Sequence, residues 1–115
     1  MPPGAPKVIL TPSEQAALDY HRHNLAAGTF QRNSDGSLTT FRGAIVGLPQ
    51  GETLIPTYWY GQERDVPTAL RFAIRSGIKF PSYKTAEEAE MRERAIHSIM
   101  ERDVADFVKS QATRK

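Results

Sequence analysis

The sequence predicts an α+β fold: a three-stranded antiparallel β-meander packed against helices, with a long C-terminal helix. Two capping boxes, at Thr11 and Thr85, each precede apolar residues at helical spacing. Between them, β-prone segments alternate with turn residues at 33–36 and 47–51. The length of 115 residues is typical of one domain. We therefore expect a single α+β domain at 11–110.

The two ends of the chain are expected to lie outside this domain. Residues 1–10 carry prolines at positions 2, 3 and 6, which oppose regular structure, so we predict a flexible arm there. Residues 111–115 are predicted to form a short tail. The arm lacks the basic start and apolar block of a signal peptide, and no apolar run is long enough to span a bilayer. The protein is therefore expected to act where it is made, without a membrane partner.

The first helix is predicted to begin after Thr11, because Thr11 and Glu14 form a capping box and proline is tolerated at the first helical position. Gly28 stands where a left-handed terminating residue is favoured. Residues at helical spacing share one side of this helix: Ala17, Leu18, His21 and Leu25.

Three strands are predicted between the first and second helices, at 29–32, 37–46 and 53–60. The turn residues between them reverse the chain, which gives a meander. Pro56 cannot donate a hydrogen bond to a ladder, so the third strand is expected at an edge or with a bulge.

Two more helices are predicted to follow the strands. Asp65 caps a helix that ends near Gly77, and its apolar residues are Val66, Ala69, Leu70, Ala73 and Ile74. A second capping box begins a helix that is expected to end near Ser110. Its residues at three-to-four spacing are Ala89, Ile96, Met100, Val104, Phe107 and Val108.

The three consecutive aromatic residues Tyr58, Trp59 and Tyr60 allow two interpretations. Side chains alternate between the faces of a strand, so Trp59 is expected on the opposite face from both tyrosines. The three rings then do not form one platform, and we favour core and cross-strand packing. The alternative is a partly exposed stacking face like those of single-strand binders.

A basic group around the second helix also allows two interpretations. Its members are Arg64, Arg71, Arg75 and Lys79. Together they could contact a phosphate backbone, which makes a small DNA-binding protein the alternative function. The net charge of the chain is only +2, and surface helices ordinarily carry such residues opposite their apolar side. We therefore favour a solvated helix face.

The composition argues against several kinds of chemistry. The chain has no cysteine, which excludes disulfides, thiolate zinc sites and cysteine nucleophiles. His21 and His23 point to different sides of a helix, and His97 stands alone, so no metal site is expected. The glycines at 43–51 lack the lysine of a phosphate loop, and no Ser-His-Asp set stands out. We predict a non-enzyme without a cofactor.

Several short motifs resemble a small module of bacteriophage proteins. They are NSDGSLTTFR at 33–42, LIPT at 54–57, Ala69 eight residues before Gly77, and TAEEA at 85–89 with His97 eight residues later. The module occurs in internal virion proteins and large polyvalent phage proteins. The similarity covers 29–97. The chain departs from the module at Phe80-Pro81, where the module has histidine-leucine-glycine, and in its own capped N-terminal helix.

The resemblance implies a phage or prophage origin and a non-enzymatic, structural role in the virion. The protein would be made in the bacterial host cytoplasm and built into the tail, the connector or the capsid interior. Its partners would be other virion proteins or copies of itself. Because the module also occurs beside peptidoglycan-cleaving domains, an accessory cell-wall domain is a third interpretation.

The end of the last helix, beyond the similarity, is the predicted docking element. Val104, Phe107 and Val108 are the candidate interaction residues, together with the proline-rich arm. Truncation after Glu101 is expected to leave a folded protein that is not assembled.

Overall fold

The computed structural model describes residues 9–113. Its ten elements, in chain order, are α1 (Pro12–Ala27), β1 (Gln31–Arg32), β2 (Leu38–Thr39), β3 (Gly43–Leu48), β4 (Gly51–Pro56), β5 (Tyr58–Trp59), β6 (Gln62–Glu63), α2 (Val66–Ser76), β7 (Ser82–Tyr83) and α3 (Ala86–Thr113). The predicted α+β class and the long C-terminal helix are confirmed.

All three helices begin at the residues that the capping signals predict. The Thr11 hydroxyl accepts from the Glu14 amide while the Glu14 carboxylate accepts from the Thr11 amide, so the capping box of α1 is complete. Asp65 caps α2 by accepting from the Thr68 amide. Thr85 does the same for α3, accepting from the Glu88 amide. These bonds satisfy amides that have no partner inside the helix.

The ends of the chain differ from their predicted boundaries. Helix α3 continues to Thr113, so 111–113 are helical instead of a separate tail, and positions 114–115 lie outside the described residues. Of the predicted arm, 1–8 lie outside the described residues. Leu10 packs against the core, and the Ile9 carbonyl accepts a hydrogen bond from Arg92.

The main sheet is three-stranded and antiparallel, with the order β3-β4-β7. Strands β3 and β4 pair from Gly43↔Pro56 to Leu48↔Gly51. Strand β7 adds the pairs Glu52↔Tyr83 and Thr53↔Ser82 on the other side of β4. Strand β7 was not predicted. Two residues are too few for an alternating pattern to appear, so only the contact with β4 makes this segment a strand.

Two of the predicted strands are interrupted. Segment 37–46 divides into β2 and β3 because Arg42 has a φ of 50°, which turns the backbone between them. Segment 53–60 divides after Pro56 into β4 and β5. The short pairs β1-β2 and β5-β6 form separate two-stranded ladders, and the hydroxyl and amide of Thr57 both bond to the Arg42 carbonyl.

The core lies between the sheet and the helices. Its buried apolar members are Ala17, Leu18, Phe41, Leu54, Ile55, Trp59, Ala69, Ala73, Phe80, Ile96 and Met100. Tyr58 is also fully buried, whereas Tyr60 is 72% exposed. The predicted packing role is therefore confirmed for Tyr58 and Trp59. Tyr60 departs from it because strand β5 ends at Trp59 and Tyr60 has a φ of 54°.

Candidate functional site

Helices α1 and α3 meet along a seam that contains two buried polar residues of α1, Glu14 and His21. They are seven residues apart, which is two helical turns, so they project from the same side of α1. Each meets a different segment of α3. Their surroundings divide the seam into a closed end and an open end.

At the closed end, the Glu14 carboxylate accepts four hydrogen bonds. Oε1 accepts from the Thr11 amide at 2.9 Å and from Arg92 Nη2 at 2.6 Å. Oε2 accepts from the Tyr83 hydroxyl at 2.6 Å and from Arg92 Nε at 2.7 Å. All the acceptor positions of the buried carboxylate therefore face a donor, as a buried charge requires.

The pKa of Glu14 reflects these bonds. Burial alone raises the pKa, but the hydrogen bonds from Arg92, Tyr83 and Thr11 outweigh it and lower the pKa to about 2. Burial, with the adjacent carboxylate, raises the pKa of Tyr83. Glu14 is therefore ionised and Tyr83 is protonated at neutral pH. This cluster joins α1, β7 and α3 and has the properties of a structural ion pair.

At the open end, His21 is fully buried and its ring lies between Thr40 and Asp103. Its Nδ1 shares a hydrogen bond with the Thr40 hydroxyl. Its Nε2 lies 3.3 Å from Asp103 Oδ2, without the geometry of a hydrogen bond. Burial lowers the pKa of His21, and Asp103 only partly opposes this, so the imidazole is neutral at neutral pH. The nearby carboxylate favours the proton on Nε2, which leaves Nδ1 to accept from Thr40.

A hydroxyl, an imidazole and a carboxylate in this order are the groups of a catalytic triad. Here, however, each has a structural partner. Thr40 is only 4% exposed, and its carbonyl accepts from Asn24 Nδ2 at 2.8 Å, which ties the segment after β2 to α1. Asp103 accepts from Arg22 Nε at 2.8 Å, which joins α3 to α1. These contacts position the β1-β2 hairpin on α1 and α3.

A groove of about 800 Å³ opens beside His21, between the β1-β2 hairpin and the C-terminal half of α3. We call it the α3 groove. Its apolar lining comprises Leu38, Phe41, Met100, Val104, Ala105 and Val108. Charges of both signs stand among its lining residues: Asp35, Arg42, Glu101 and Lys109. The lining of the groove thus combines apolar side chains with uncharged polar groups, such as Thr40 and Asn33, and with charges of both signs.

The structure places the three predicted interaction residues in two different environments. Val104 and Val108 line the α3 groove, and Val108 is 42% exposed. Phe107 instead packs edge-to-face on Phe30, with 5.7 Å between ring centroids. Truncation after Glu101 would therefore remove Phe107 and Asp103, which both hold α3 to the rest of the chain.

The four predicted basic residues also differ in exposure and contacts. Arg71 and Arg75 are exposed one turn apart on α2, and Lys79 is exposed beyond its end. Within residues 9–113, none of these three forms an ion pair with a carboxylate. Arg64 is half-buried; its Nε donates to the Trp59 carbonyl at 3.1 Å, and its guanidinium lies 5.5 Å from the Phe72 ring centroid.

Sequence reasoning places His21 on the apolar side of the first helix but does not identify its partners, Thr40 and Asp103. It gives Glu14 only a capping role. The partners lie far apart in sequence, 78 residues for Glu14 and Arg92, so no local pattern indicates them.

Comparison of the chain with models of protein families, with curated proteins and with solved structures found no match. Within the part of the chain that the structure describes, no group of three or more His, Asp or Glu residues is placed to hold a metal ion. Residues 9–113 include no helix of the length and apolar character needed to cross a membrane.

Proposed function

We propose that the protein is a non-enzymatic structural component of a bacteriophage particle and acts by protein–protein packing. The α3 groove is the observation that carries this proposal. It is an apolar depression beside an exposed helix end, and Val104 and Val108 of the predicted docking element line it. The similarity to a phage module supports the choice of a virion as the setting, in the tail, the connector or the capsid interior.

The chemistry of the α3 groove favours a polypeptide as its occupant. Protein interfaces combine apolar and polar surface, and the lining of the α3 groove has both. Arg42 and Lys109 stand among its lining residues with Asp35 and Glu101, so the charges are balanced instead of uniformly positive. A phosphate backbone would be favoured by a uniformly basic lining.

The occupant that best fits is an amphipathic segment of a neighbouring virion protein. Such segments bind by placing anchor side chains at helical spacing into an apolar groove. Met100, Val104 and Val108 recur every four residues along the α3 wall, which matches an elongated apolar partner.

Incorporation into particles tests the proposal. A Val108→Asp variant places a charge in the α3 groove at a position that is already 42% exposed, so it should fold normally. Met91→Asp is the matched control, because Met91 is 62% exposed on the same helix and outside the groove. Tagged variants would be produced during phage growth or prophage induction, and the protein in purified particles quantified by mass spectrometry.

We expect the unchanged protein and the Met91→Asp variant in the particles, and the Val108→Asp variant largely absent. Thermal unfolding should show the same stability for both variants. Absence of the unchanged protein from particles would refute the virion role. Equal incorporation of both variants would refute the α3 groove as the docking site.

A further inference from the structure

Tyr60 is the one ring of the aromatic triplet that the core does not cover. It is 72% exposed and adopts a φ of 54°, a conformation that costs energy for a bulky residue. The turn is held in place because the Tyr58 hydroxyl donates to the Gly61 carbonyl at 2.7 Å. The Tyr60 ring is therefore exposed although its backbone conformation is strained, and the neighbouring hydrogen bond holds the turn in that conformation.

The Tyr60 ring is continuous with the outer face of α2. It packs edge-to-face on Phe72, with 5.0 Å between centroids. Arg75 lies three residues after Phe72 and therefore borders it on the helix surface, and Arg71 lies one turn from Arg75 on the same side of α2. Arg64 covers Phe72 from another side. We call these five residues the α2 patch.

Two arginines of the α2 patch lack the carboxylate partner that several other arginines of the fold have. Arg22, Arg42 and Arg92 each pair with a carboxylate. Arg71 and Arg75 are exposed and, within residues 9–113, have no such pair. Arg71 Nη2 donates to the Thr68 hydroxyl at 3.3 Å. Hydrogen bonds from Thr68 lower the pKa of the exposed Asp65, and the charge of Arg71 contributes to this shift. Neither guanidinium is held in an ion pair there, so both can contact an anionic partner.

We propose that the α2 patch binds single-stranded nucleic acid. Arg71 and Arg75 contact adjacent phosphates, while the Tyr60 ring stacks on an unpaired base. Exposed aromatic rings beside arginines are the means by which single-strand binders hold nucleic acid without reading its sequence. Duplex bases are already stacked on one another, so a duplex can use the phosphate contacts but not the ring. The site does not depend on the proposed packing function, because none of its five residues belongs to α3 or lines the α3 groove.

Titration with a labelled oligodeoxythymidylate at low and high salt, followed by fluorescence anisotropy, tests the phosphate contacts. The double variant Arg71→Ala, Arg75→Ala should bind more weakly and reduce the salt slope by about 1.4, because each phosphate contact on a single strand contributes about 0.7. The double variant Arg94→Ala, Arg102→Ala is the matched control. It removes the same charge from exposed positions of α3, a helix that contains no tyrosine or tryptophan.

Two substitutions of Tyr60 test the stacking. Tyr60→Asn removes the ring but keeps a residue that tolerates positive φ, so the turn is preserved. Tyr60→Phe keeps the ring and loses only the hydroxyl. We expect a loss of about fivefold or more for Tyr60→Asn and nearly unchanged binding for Tyr60→Phe. Trp59, the single tryptophan, lies 6.3 Å from the Tyr60 ring centroid, so its fluorescence should change on binding.

The proposal is supported if the α2 double variant and Tyr60→Asn both weaken binding and the α3 control does not. Equal losses from the two double variants would indicate general charge attraction and overturn it. Tighter binding to a duplex of the same length would overturn it as well. So would binding to anionic phospholipid vesicles without binding to the oligonucleotide.

Discussion

The two ends of the α1–α3 seam differ in how fully a buried polar side chain is hydrogen-bonded. At the closed end, the buried Glu14 faces four donors and its charge is fully compensated. At the open end, the buried His21 has one hydrogen bond, to Thr40, and the α3 groove lies beside it. The closed end therefore has the interactions that stabilise the fold. The open end leaves apolar surface uncovered, which is what a docking site requires.

Glu14→Gln should have the largest effect on stability. It removes the charge that compensates Arg92 and two of the acceptor interactions, and breaking a buried ion pair costs about 3 kcal/mol. Urea denaturation measures the loss. Glu101→Gln is the matched control, because the Glu101–His97 pair is exposed at both partners and should contribute less than about 1 kcal/mol.

The pH dependence of stability checks the same ion pair. The folded pKa of Glu14, about 2, lies below the ordinary value of 4.5, so the unfolded chain binds its proton first as the pH falls. The stabilisation is complete above pH 4.5 and is lost between pH 4.5 and 2. Glu14→Gln should lose this component. A step of the same size in both proteins would contradict the role of Glu14.

Phe107→Ala should have an intermediate effect on stability. It tests whether Phe107 stabilises the fold while Val108, its neighbour on α3, does not. Phe107 is half-buried against Phe30, so the substitution should cost about 2 kcal/mol, less than for a fully buried ring. Val108→Ala, one position further on, removes an exposed side chain and should cost less than about 0.5 kcal/mol. Thermal unfolding of both variants measures the difference. Equal effects would mean that this end of α3 is not divided between fold and groove.

The smallest expected effect is the contribution of His21, at the open end, to the pH dependence of the free energy of unfolding. Burial lowers its folded pKa below the ordinary 6.5, so the unfolded chain binds the proton more readily. Its contribution is present above about pH 6.5 and decreases as the pH falls below that value. His21→Asn keeps an acceptor for the Thr40 hydroxyl but does not titrate in this range. Urea denaturation between pH 7.5 and 5 should therefore show a slope for the unchanged protein and a flatter profile for His21→Asn.

A flat profile for the unchanged protein would mean that His21 has the same proton affinity in both states. Glu90→Gln serves as the control, because Glu90 is an exposed carboxylate of the same helix that forms no ion pair with a histidine within residues 9–113.

The sequence was most informative where structure depends on near neighbours. The caps at Thr11, Asp65 and Thr85, the left-handed end at Gly28 and the helix end at Gly77 appear in the fold as predicted. The capping box at Thr85 is only half formed, because the Glu88 carboxylate accepts from the Lys84 amide instead of the Thr85 amide. Capping depends on side chains within three or four residues of the amides they satisfy, so a local pattern contains the information. The same reasoning identified Val104 and Val108, whose spacing places them on one side of α3.

The sheet and the seam were less predictable because their determinants are distant. Strand β7 exists through its pairing with β4, about thirty residues away in the chain. The break at Arg42 depends on hydrogen bonds with Thr57, and Phe107 is assigned to the fold by Phe30. The residue types in these pairs are equally common in other structures, so residue type alone does not indicate the pairing.

By itself, the sequence determined the three helices, their starts and the α+β class, because backbone capping and apolar periodicity act over one or two turns. Only the tertiary structure decided which polar groups are buried together, where α3 leaves a groove, and why Tyr60 stays in water while Trp59 does not. These outcomes depend on contacts between segments brought together by burial of the core, where the free energy of a side chain is set by neighbours that the local sequence does not specify.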